Sequence, residues 1–224
     1  MEKYLPIIEK NPLFAHIDPK HLPALLTCLH AKVRNYEKGE TLFAADTKVF
    51  QLGIMLEGIV HTASTNFLGD RSIISYMRSG QLFCDAYSST LDGILLIDIV
   101  AQTNCTVLLI ETQRLLSSCV KTQPYQAQLQ ENLIHILAQK YVDLGCKVIH
   151  LSGRATRRKL LSYLSEQYRF SGGKPFAIPF TQQELADYLF VERSGLSLEF
   201  NKLKKTGIVK EENGLFSLVR PDVD

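Results

Sequence analysis

The stretch from 180 to 219 constrains the fold of this chain more than any other part of the sequence. Thr181, followed three positions later by Glu184, forms a capping box, in which each side chain satisfies a backbone amide at a helix start. We expect a short helix over 182–189, a break at Phe190, and a second amphipathic helix over 192–206 that Gly207 ends. Two helices joined in this way form a helix-turn-helix.

The residues after Gly207 add a hairpin to the two helices. β-forming residues flank Asn213 and Gly214, the dipeptide that best fits a type I′ turn. A helix-turn-helix followed directly by a hairpin is a winged helix, whose second helix enters the major groove of DNA. The order and spacing of these elements predict a DNA-binding domain, with a purely structural use of the same motifs as the alternative.

Ten residues of this stretch carry a resemblance to a known family. They are Glu184, Leu185, Ala186, Leu189, Val191, Arg193, Ser197, Leu203, Gly207 and Ile208. The stretch resembles the DNA-binding segment of the CRP/FNR family of bacterial transcription regulators. Phe190 stands where the family has a turn glycine, which suggests a different turn geometry. Leu198 stands where the family has a second arginine, which removes a base or phosphate contact.

The resemblance implies that the second helix reads double-stranded DNA at a palindromic operator. Arg193 is expected to pair with a guanine, and the lysines near the helix end are expected to favour phosphates. The chain carries a net charge of +2, divided as +3 for 154–224 and −1 for the rest, and a merely solvated basic face is the alternative. The expected DNA-binding residues are Thr181, Gln182, Arg193, Ser194, Ser197, Lys202, Lys204 and Lys205.

The region from 31 to 110 has a different texture, with short β-rich stretches separated by turn signals. We expect strands over 32–36, 41–43, 50–57, 58–65, 71–78, 97–101 and 105–110, which predict a small β-barrel or jelly roll. The family resemblance extends here through a motif that begins at Tyr36 and ends at Phe43. The expected fold class is therefore α+β, with a cyclic-nucleotide-binding-like β-roll, a long helix and a winged helix.

Jelly rolls also include metal-dependent cupin enzymes, which need several histidines on neighbouring strands. His61 is the only histidine in the strand region, and no other catalytic motif stands out, so we expect neither an enzyme nor a metal or other cofactor. The five cysteines are scattered and include no CxxC pair, which favours small buried side chains over an iron–sulfur cluster.

The family binds a cyclic nucleotide through a "G-E-l" motif and a later "R-S/T-A" motif. Here Cys84 and Asp85 replace the glycine and the glutamate, and 93–98 contains no arginine. We therefore expect no cyclic nucleotide, but an unknown small-molecule effector beside an apolar wall; a closed core without a pocket is the alternative. The tentative pocket residues are Cys84, Asp85, Leu95, Leu96, Ile97, Leu133 and Leu137.

A long helical pattern covers 124–152, with apolar residues at steps of three and four. The pattern predicts a parallel coiled-coil seam between two copies of the chain, with a core face as the alternative. The expected seam residues are Leu133, Leu137, Tyr141, Leu144 and Val148. A homodimer is also what a palindromic operator requires.

These patterns give three segments: a roll over 1–123, a dimerisation helix over 124–152, and a winged helix over 153–224. The first function hypothesis is a DNA-binding regulator controlled by an effector in the roll. The second is an effector-independent regulator, whose roll serves only for dimerisation and for contact with RNA polymerase. No membrane-spanning run or signal peptide is evident, so a cytoplasmic protein without a membrane partner is expected.

Overall fold

The computed structural model describes residues 2–68, 71–117 and 123–219, which divide into two compact units. The N-terminal unit is Met1–Lys140 and the C-terminal unit is Tyr141–Asp224. The division falls inside the longest helix, so the helix that we expected as a segment of its own belongs partly to each unit.

The N-terminal unit begins with short helices whose starts are set by prolines and side-chain caps. Helix α1 is Leu5–Glu9 and α2 is Leu22–Cys28, with 3-10 turns at Glu2–Tyr4, Pro12–Phe14 and Pro19–His21. Asn11 precedes one of these turns, and its side-chain oxygen accepts from the backbone N–H of Leu13 at 2.9 Å. A proline just inside a helix start lacks an N–H that would otherwise need a partner.

Two four-stranded antiparallel sheets follow, with strand orders β1-β8-β3-β6 and β2-β7-β4-β5. The strands are β1 Lys32–Tyr36, β2 Thr41–Phe43, β3 Gln51–Glu57, β4 Val60–Thr65, β5 Arg71–Met77, β6 Leu82–Phe83, β7 Asp98–Ala101 and β8 Cys105–Glu111. The short helix α3, Asp85–Ser88, follows β6, and α4, Thr112–Leu116, follows β8. The seven strands expected from the sequence are present with small shifts at their ends, and β6 is an addition to them.

Strands β3 and β8 are buried on both faces, because each face packs against a different core. Val107 and Leu109 point into the core between the two sheets, while Leu108 and Ile110 pack against the N-terminal helices. Gly53 of β3 leaves room for a ring, since a Cβ atom there would lie 2.1 Å from Phe83. The roll is therefore a filled sandwich.

Helix α5, Gln123–Leu151, runs from the N-terminal unit into the C-terminal unit. Its first half packs on the roll through Leu129 and Leu133, which belong to the same core as the N-terminal helices. Asn132 fixes this contact, because its amide donates to the carbonyl oxygens of Leu13 and Ala15 at 2.9 Å each.

The C-terminal unit contains three further helices and a two-stranded hairpin. The helices are α6 Thr156–Phe170, α7 Gln182–Leu189 and α8 Arg193–Lys205, and the strands are β9 Val209–Glu212 and β10 Leu215–Leu218. Between α6 and α7, Phe176 forms a single bridge with Phe216 of β10, in which the two residues exchange two backbone hydrogen bonds. The α+β fold with a β-roll, a long helix and a winged helix-turn-helix is confirmed. Among the described residues, no helix has both the length and the apolar character needed to cross a membrane.

Candidate nucleic-acid interface

The two helices of the helix-turn-helix begin as the sequence predicts. Thr181 Oγ1 accepts from the Glu184 N–H at 3.2 Å, and Glu184 Oε2 accepts from the Thr181 N–H at 2.9 Å, so the capping box is complete. Both Thr181 and Gln182 are exposed at the start of α7. Their position leaves the positive end of the helix dipole open to an anion.

The turn between α7 and α8 keeps a left-handed residue even though it lacks a glycine. Phe190 has φ 51° and ψ 58°, a conformation that is costly for any residue with a Cβ atom. Lys159 of α6 supports the turn, because its Nζ donates to the carbonyl oxygens of Leu189 at 3.0 Å and Phe190 at 3.3 Å. Phe190, which stands where the family has a turn glycine, thus adopts a left-handed conformation of the kind that favours glycine.

Helix α8 has one buried face and one open face. Leu196, Phe200 and Leu203 point into the core of the C-terminal unit. The opposite face carries Ser194, Leu198, Asn201 and Lys205 in steps of four, three and four, and all four residues are exposed. This is the geometry of a helix that packs on its own domain and presents a readable face to a partner.

The predicted DNA-binding residues of α8 differ in whether they already form ion pairs within the chain. Arg193 and Lys205 are exposed, and no ion pair of either is found in the described part of the chain. In contrast, Lys202 Nζ lies 2.7 Å from Glu199 Oε1, and Lys204 forms an ion pair with Glu211 of the hairpin. Ser197 is half-buried. Arg193 and Lys205 are therefore the cations most available to an anionic partner.

A buried polar cluster joins α5, α6 and α7 within the C-terminal unit. His150 is 1% exposed, and its Nε2 lies 2.8 Å from Glu166 Oε2 and its Nδ1 3.1 Å from the Tyr188 hydroxyl. Because a carboxylate only accepts, Nε2 donates to Glu166 and Nδ1 accepts from Tyr188. Burial lowers the pKa of His150 despite the nearby carboxylate, and raises the pKa of Tyr188 to about 12. Nothing in the sequence patterns indicated this cluster.

The seam residues expected on α5 separate into two groups. Leu133 is 2% exposed and lies in the core of its own N-terminal unit, and Leu137 packs against that core. Leu133 therefore belongs to the core-face alternative, because a side chain buried in its own chain is not available to a second copy. Tyr141, Leu144 and Val148 are exposed. Ile134, Val142 and Ile149, which are not among the expected seam residues, are also exposed apolar residues of this helix.

The tentative effector-pocket residues are not brought together around one cavity. Leu95 lies in the core between the sheets, Leu133 lies in the core beneath the N-terminal helices, and Leu96 is 69% exposed. The apolar wall expected from 95–97 is therefore absent, because consecutive side chains point in different directions. Ile97 packs at the edge of the inter-sheet core.

Asp85, the residue after Cys84, instead forms an ion pair with Lys140. Lys140 Nζ donates to Asp85 Oδ1 at 2.7 Å and to the Leu82 carbonyl oxygen at 3.1 Å, and Asp85 is 3% exposed. Burial and the Asp85 charge raise the pKa of the Cys84 thiol to about 12. A cavity of about 400 Å³ lies beside this pair, lined by residues that include Ser75, Gln81 and Lys140. No group of three or more metal-ligating side chains occurs among the described residues.

Comparisons with known proteins fit this arrangement. The family model of the cyclic nucleotide-binding domain matches residues 33–121, and that of the Crp-like helix-turn-helix domain matches residues 158–222. A comparison with curated protein sequences found no match.

Several solved structures have a similar fold. FixK2 from Bradyrhizobium japonicum is 18% identical, with a TM-score of 0.55 over 85% of this chain and 93% of that one. The catabolite activator protein of Thermus thermophilus is 21% identical, with a TM-score of 0.54 over 93% and 94%. A CooA mutant from Carboxydothermus hydrogenoformans is 16% identical, with a TM-score of 0.61 over 88% and 86%. At these identities the likeness concerns the fold.

The match to the Crp-like helix-turn-helix domain indicates a transcription regulator rather than an enzyme. The two family models together cover most of the chain, and they coincide with the roll and the winged helix described above. This chain belongs to the CRP/FNR family of DNA-binding transcription regulators.

Proposed function

We propose that this protein regulates transcription as a homodimer that binds a palindromic operator through the N-terminal half of α8. The observation that carries the proposal is the open face of α8, which lies opposite the buried Leu196, Phe200 and Leu203. It begins beside the exposed Arg193, for which the described residues provide no ion pair. In a helix-turn-helix, the N-terminal residues of the second helix reach the base edges of the major groove.

The individual contacts follow from the chemistry of each side chain. Arg193 pairs bidentately with a guanine, and Ser194 and Ser197 contact a nearby base or phosphate. Thr181 and Gln182 hold a phosphate at the start of α7, where backbone amides point outward. Lys205 contacts a phosphate directly. Lys202 and Lys204 do so only after exchanging their carboxylate partners, so their contributions are smaller.

The second copy of the chain is proposed to pack along the exposed side of α5. Tyr141 and Val148 lie seven residues apart, the heptad spacing of a coiled coil, and Ile134 continues the same row. Burial of one such side chain contributes about 1.5–3 kcal/mol. Leu144 and Ile149 flank this row, and their exposed apolar surface supports a seam rather than a solvated helix.

For control of DNA binding, we propose an effector other than a cyclic nucleotide, bound in the roll. The buried Asp85 carboxylate supports this proposal, because it already pairs with the Lys140 ammonium group, and no arginine is among the residues that line the adjoining cavity to replace that cation for a phosphodiester. The cavity beside Ser75, Gln81 and Lys140 is the space that such a molecule could occupy.

The second candidate, effector-independent DNA binding, is favoured by the ion pair itself. Lys140 already connects α5 to Leu82 of β6 and to Asp85 at the start of α3, the segment where the resemblance places the family's ligand. Under this reading, the chain's own ammonium group fastens the helix to the roll. RNA polymerase is the further partner we propose, and the cytoplasm is the proposed place of action.

The DNA-binding proposal is tested with two variants on a selected operator and on a random duplex at one salt concentration. Arg193→Ala should lose about 1–3 kcal/mol on the operator and much less on random DNA. Lys205→Ala should weaken both duplexes alike and flatten the salt dependence. Equal losses on both duplexes for Arg193→Ala would refute the assignment of α8.

The two control mechanisms are separated by comparing operator affinity of the ligand-free protein with and without candidate effectors. Cyclic AMP, cyclic GMP and c-di-GMP belong in the set, since one structural relative, CLP from Xanthomonas campestris, is c-di-GMP responsive. Effector control predicts that a non-nucleotide cellular metabolite raises operator affinity. Full affinity without any addition, unchanged by every compound, would favour the second candidate.

A further inference from the structure

The open face of α8 carries one residue that the fold does not explain. Leu198 is 57% exposed in the middle of the helix, where its side chain contributes little to the core of the C-terminal unit. A large apolar side chain exposed on this face is stabilised when a partner covers it, because its surface then leaves water. The face on which it lies is the one that the proposed function turns toward DNA.

Asn201 lies one helical turn beyond Leu198 on the same face. It is exposed, and no hydrogen bond of its amide is found in the described part of the chain. Side chains three residues apart on a helix are neighbours, with their Cβ atoms about 5–6 Å apart. Leu198 and Asn201 therefore present, next to each other, one apolar side chain and one amide that can both donate and accept a hydrogen bond.

The spacing of the residues on and beside this face fits a helix lying in the major groove. Ser194, Ser197, Leu198 and Asn201 stand at positions i, i+3, i+4 and i+7. Homeodomain recognition helices use the same spacing to reach base edges. The rise between base pairs is about 3.4 Å, so the Leu198 and Asn201 side chains span one or two adjacent base pairs.

A T·A pair offers what these two side chains can recognise. In the major groove, thymine presents its C5-methyl group, and adenine presents an N7 acceptor beside an N6 donor. The Leu198 side chain can cover the methyl group. The Asn201 Oδ1 can accept from adenine N6 while its Nδ2 donates to N7, which is the usual asparagine–adenine pairing.

Resting on the proposed DNA binding, we propose that Leu198 and Asn201 read thymine and adenine in each half-site. Leu198 contacts a thymine methyl, and Asn201 pairs with an adenine in the same or the adjacent base pair. Arg193, one to two turns earlier on the helix, reads the guanine. The half-site is then a G·C pair followed, within the reach of α8, by at least one A·T pair.

The first step of the test is selection of bound duplexes from a random pool by the full-length protein. The expected result is a palindromic consensus with an A·T pair in each half. A consensus without A·T pairs inside the half-sites would overturn this inference and leave the proposed DNA binding intact. Absence of any consensus would overturn both.

The second step changes single atoms of the selected operator. Replacement of the contacted thymine by uracil removes only the methyl group, and replacement of adenine by 7-deazaadenine removes only the N7 acceptor. Wild-type protein should lose severalfold affinity on the uracil duplex and about tenfold on the deaza duplex, as expected for part of a bidentate contact.

The matching variants identify the side chain responsible. Leu198→Ala should bind thymine and uracil duplexes equally, and Asn201→Ala should bind adenine and deazaadenine duplexes equally. Lys205→Ala is the control, because loss of a phosphate contact lowers affinity for every duplex while the ratios between duplexes stay at the wild-type values. Both substituted residues are exposed, so circular dichroism and thermal unfolding should match the wild type.

Two results would contradict the inference even though the protein binds its operator. One is wild-type affinity that does not change on either modified duplex. The other is an effect of the modified bases that persists unchanged in Leu198→Ala and Asn201→Ala, because the contact would then come from another residue.

Discussion

At the scale of single residues, Phe190 has a backbone conformation that glycine adopts more readily than a residue with a Cβ atom. This conformation is left-handed, and the centroid of the exposed Phe190 ring lies 5.2 Å from Lys147 Nζ. The two hydrogen bonds from Lys159 to the carbonyl oxygens at the end of α7 hold the turn in place. The strain is therefore borne by the contacts around the turn.

We predict that Phe190→Gly is more stable than Phe190→Ala by about 1 kcal/mol, since only glycine relieves the left-handed strain. Both variants lose the ring and its contact with Lys147, so the comparison isolates the backbone. Urea unfolding of the two full-length variants provides the measurement. Equal stability of the two would show that the turn is unstrained.

The same residue marks a limit of sequence reasoning. The departure from the family's glycine was visible at Phe190, but the sequence did not show that Lys159, 31 positions away along the chain, supports the turn. Asn201 was likewise missed, since an exposed asparagine has no distinguishing pattern until the buried face of α8 is known. Both misses concern partners or faces that only tertiary packing defines.

At the scale of elements, the His150 cluster ties the end of α5 to α6 and α7. The titratable groups around it are Asp143, Cys146 and Lys147 on α5, Tyr163, Glu166 and Arg169 on α6, and Tyr188 on α7. Burial lowers the pKa of the histidine below its ordinary value of about 6.5. The unfolded chain therefore takes up a proton at this residue more readily than the folded chain does.

Acid should consequently weaken the C-terminal unit through His150. The stabilising contribution is fully present above pH of about 6.5 and is lost as the pH falls from there toward the lower pKa of the folded state. Thermal unfolding of wild type and His150→Gln between neutral and mildly acidic pH measures the effect. Glutamine can keep one donor and one acceptor but does not titrate, so the wild type should lose more stability; parallel curves would contradict the prediction.

Helix α5 packs on the roll through its first half and is proposed to form the dimer seam through its exposed residues, and two substitutions separate these roles. Leu133→Ala should destabilise the N-terminal unit by about 2–5 kcal/mol, because it opens a cavity in a packed core. Leu144→Asp should leave the fold intact and dissociate the dimer, since the residue is exposed in the single chain and its new charge would be buried at the seam. Sedimentation combined with denaturant unfolding distinguishes the two. A folded Leu144→Asp dimer of wild-type affinity would place the seam elsewhere.

At the scale of the whole molecule, local patterns predicted most of the architecture. The capping box at Thr181, the Asn213-Gly214 turn and the alternating strands each have a local physical cause, and each was found where expected. The turn residues Asn213 and Gly214 both have positive φ, as a type I′ turn requires.

The differences from the expectations at this scale concern apolar residues, because the periodicity of a sequence does not show what covers an apolar face. The α5 pattern could not say that Leu133 lies against its own roll while Tyr141 stays exposed, because both give the same periodicity. For a related reason, the residues expected to line an effector pocket are not brought together: Leu95 is buried, whereas the next residue, Leu96, is exposed. The Lys140–Asp85 ion pair joins residues 55 positions apart, beyond any local pattern.

We propose that two copies of this chain together read one DNA sequence. The most direct measurement is the affinity and stoichiometry of the full-length protein on its selected palindromic duplex and on a random duplex, at one near-physiological salt concentration. We predict one dimer per operator and binding at least about 10³-fold tighter to the operator than to random DNA. Equal affinity for the two duplexes would contradict sequence-specific binding, and binding of a single monomer to the full operator would contradict recognition by a dimer.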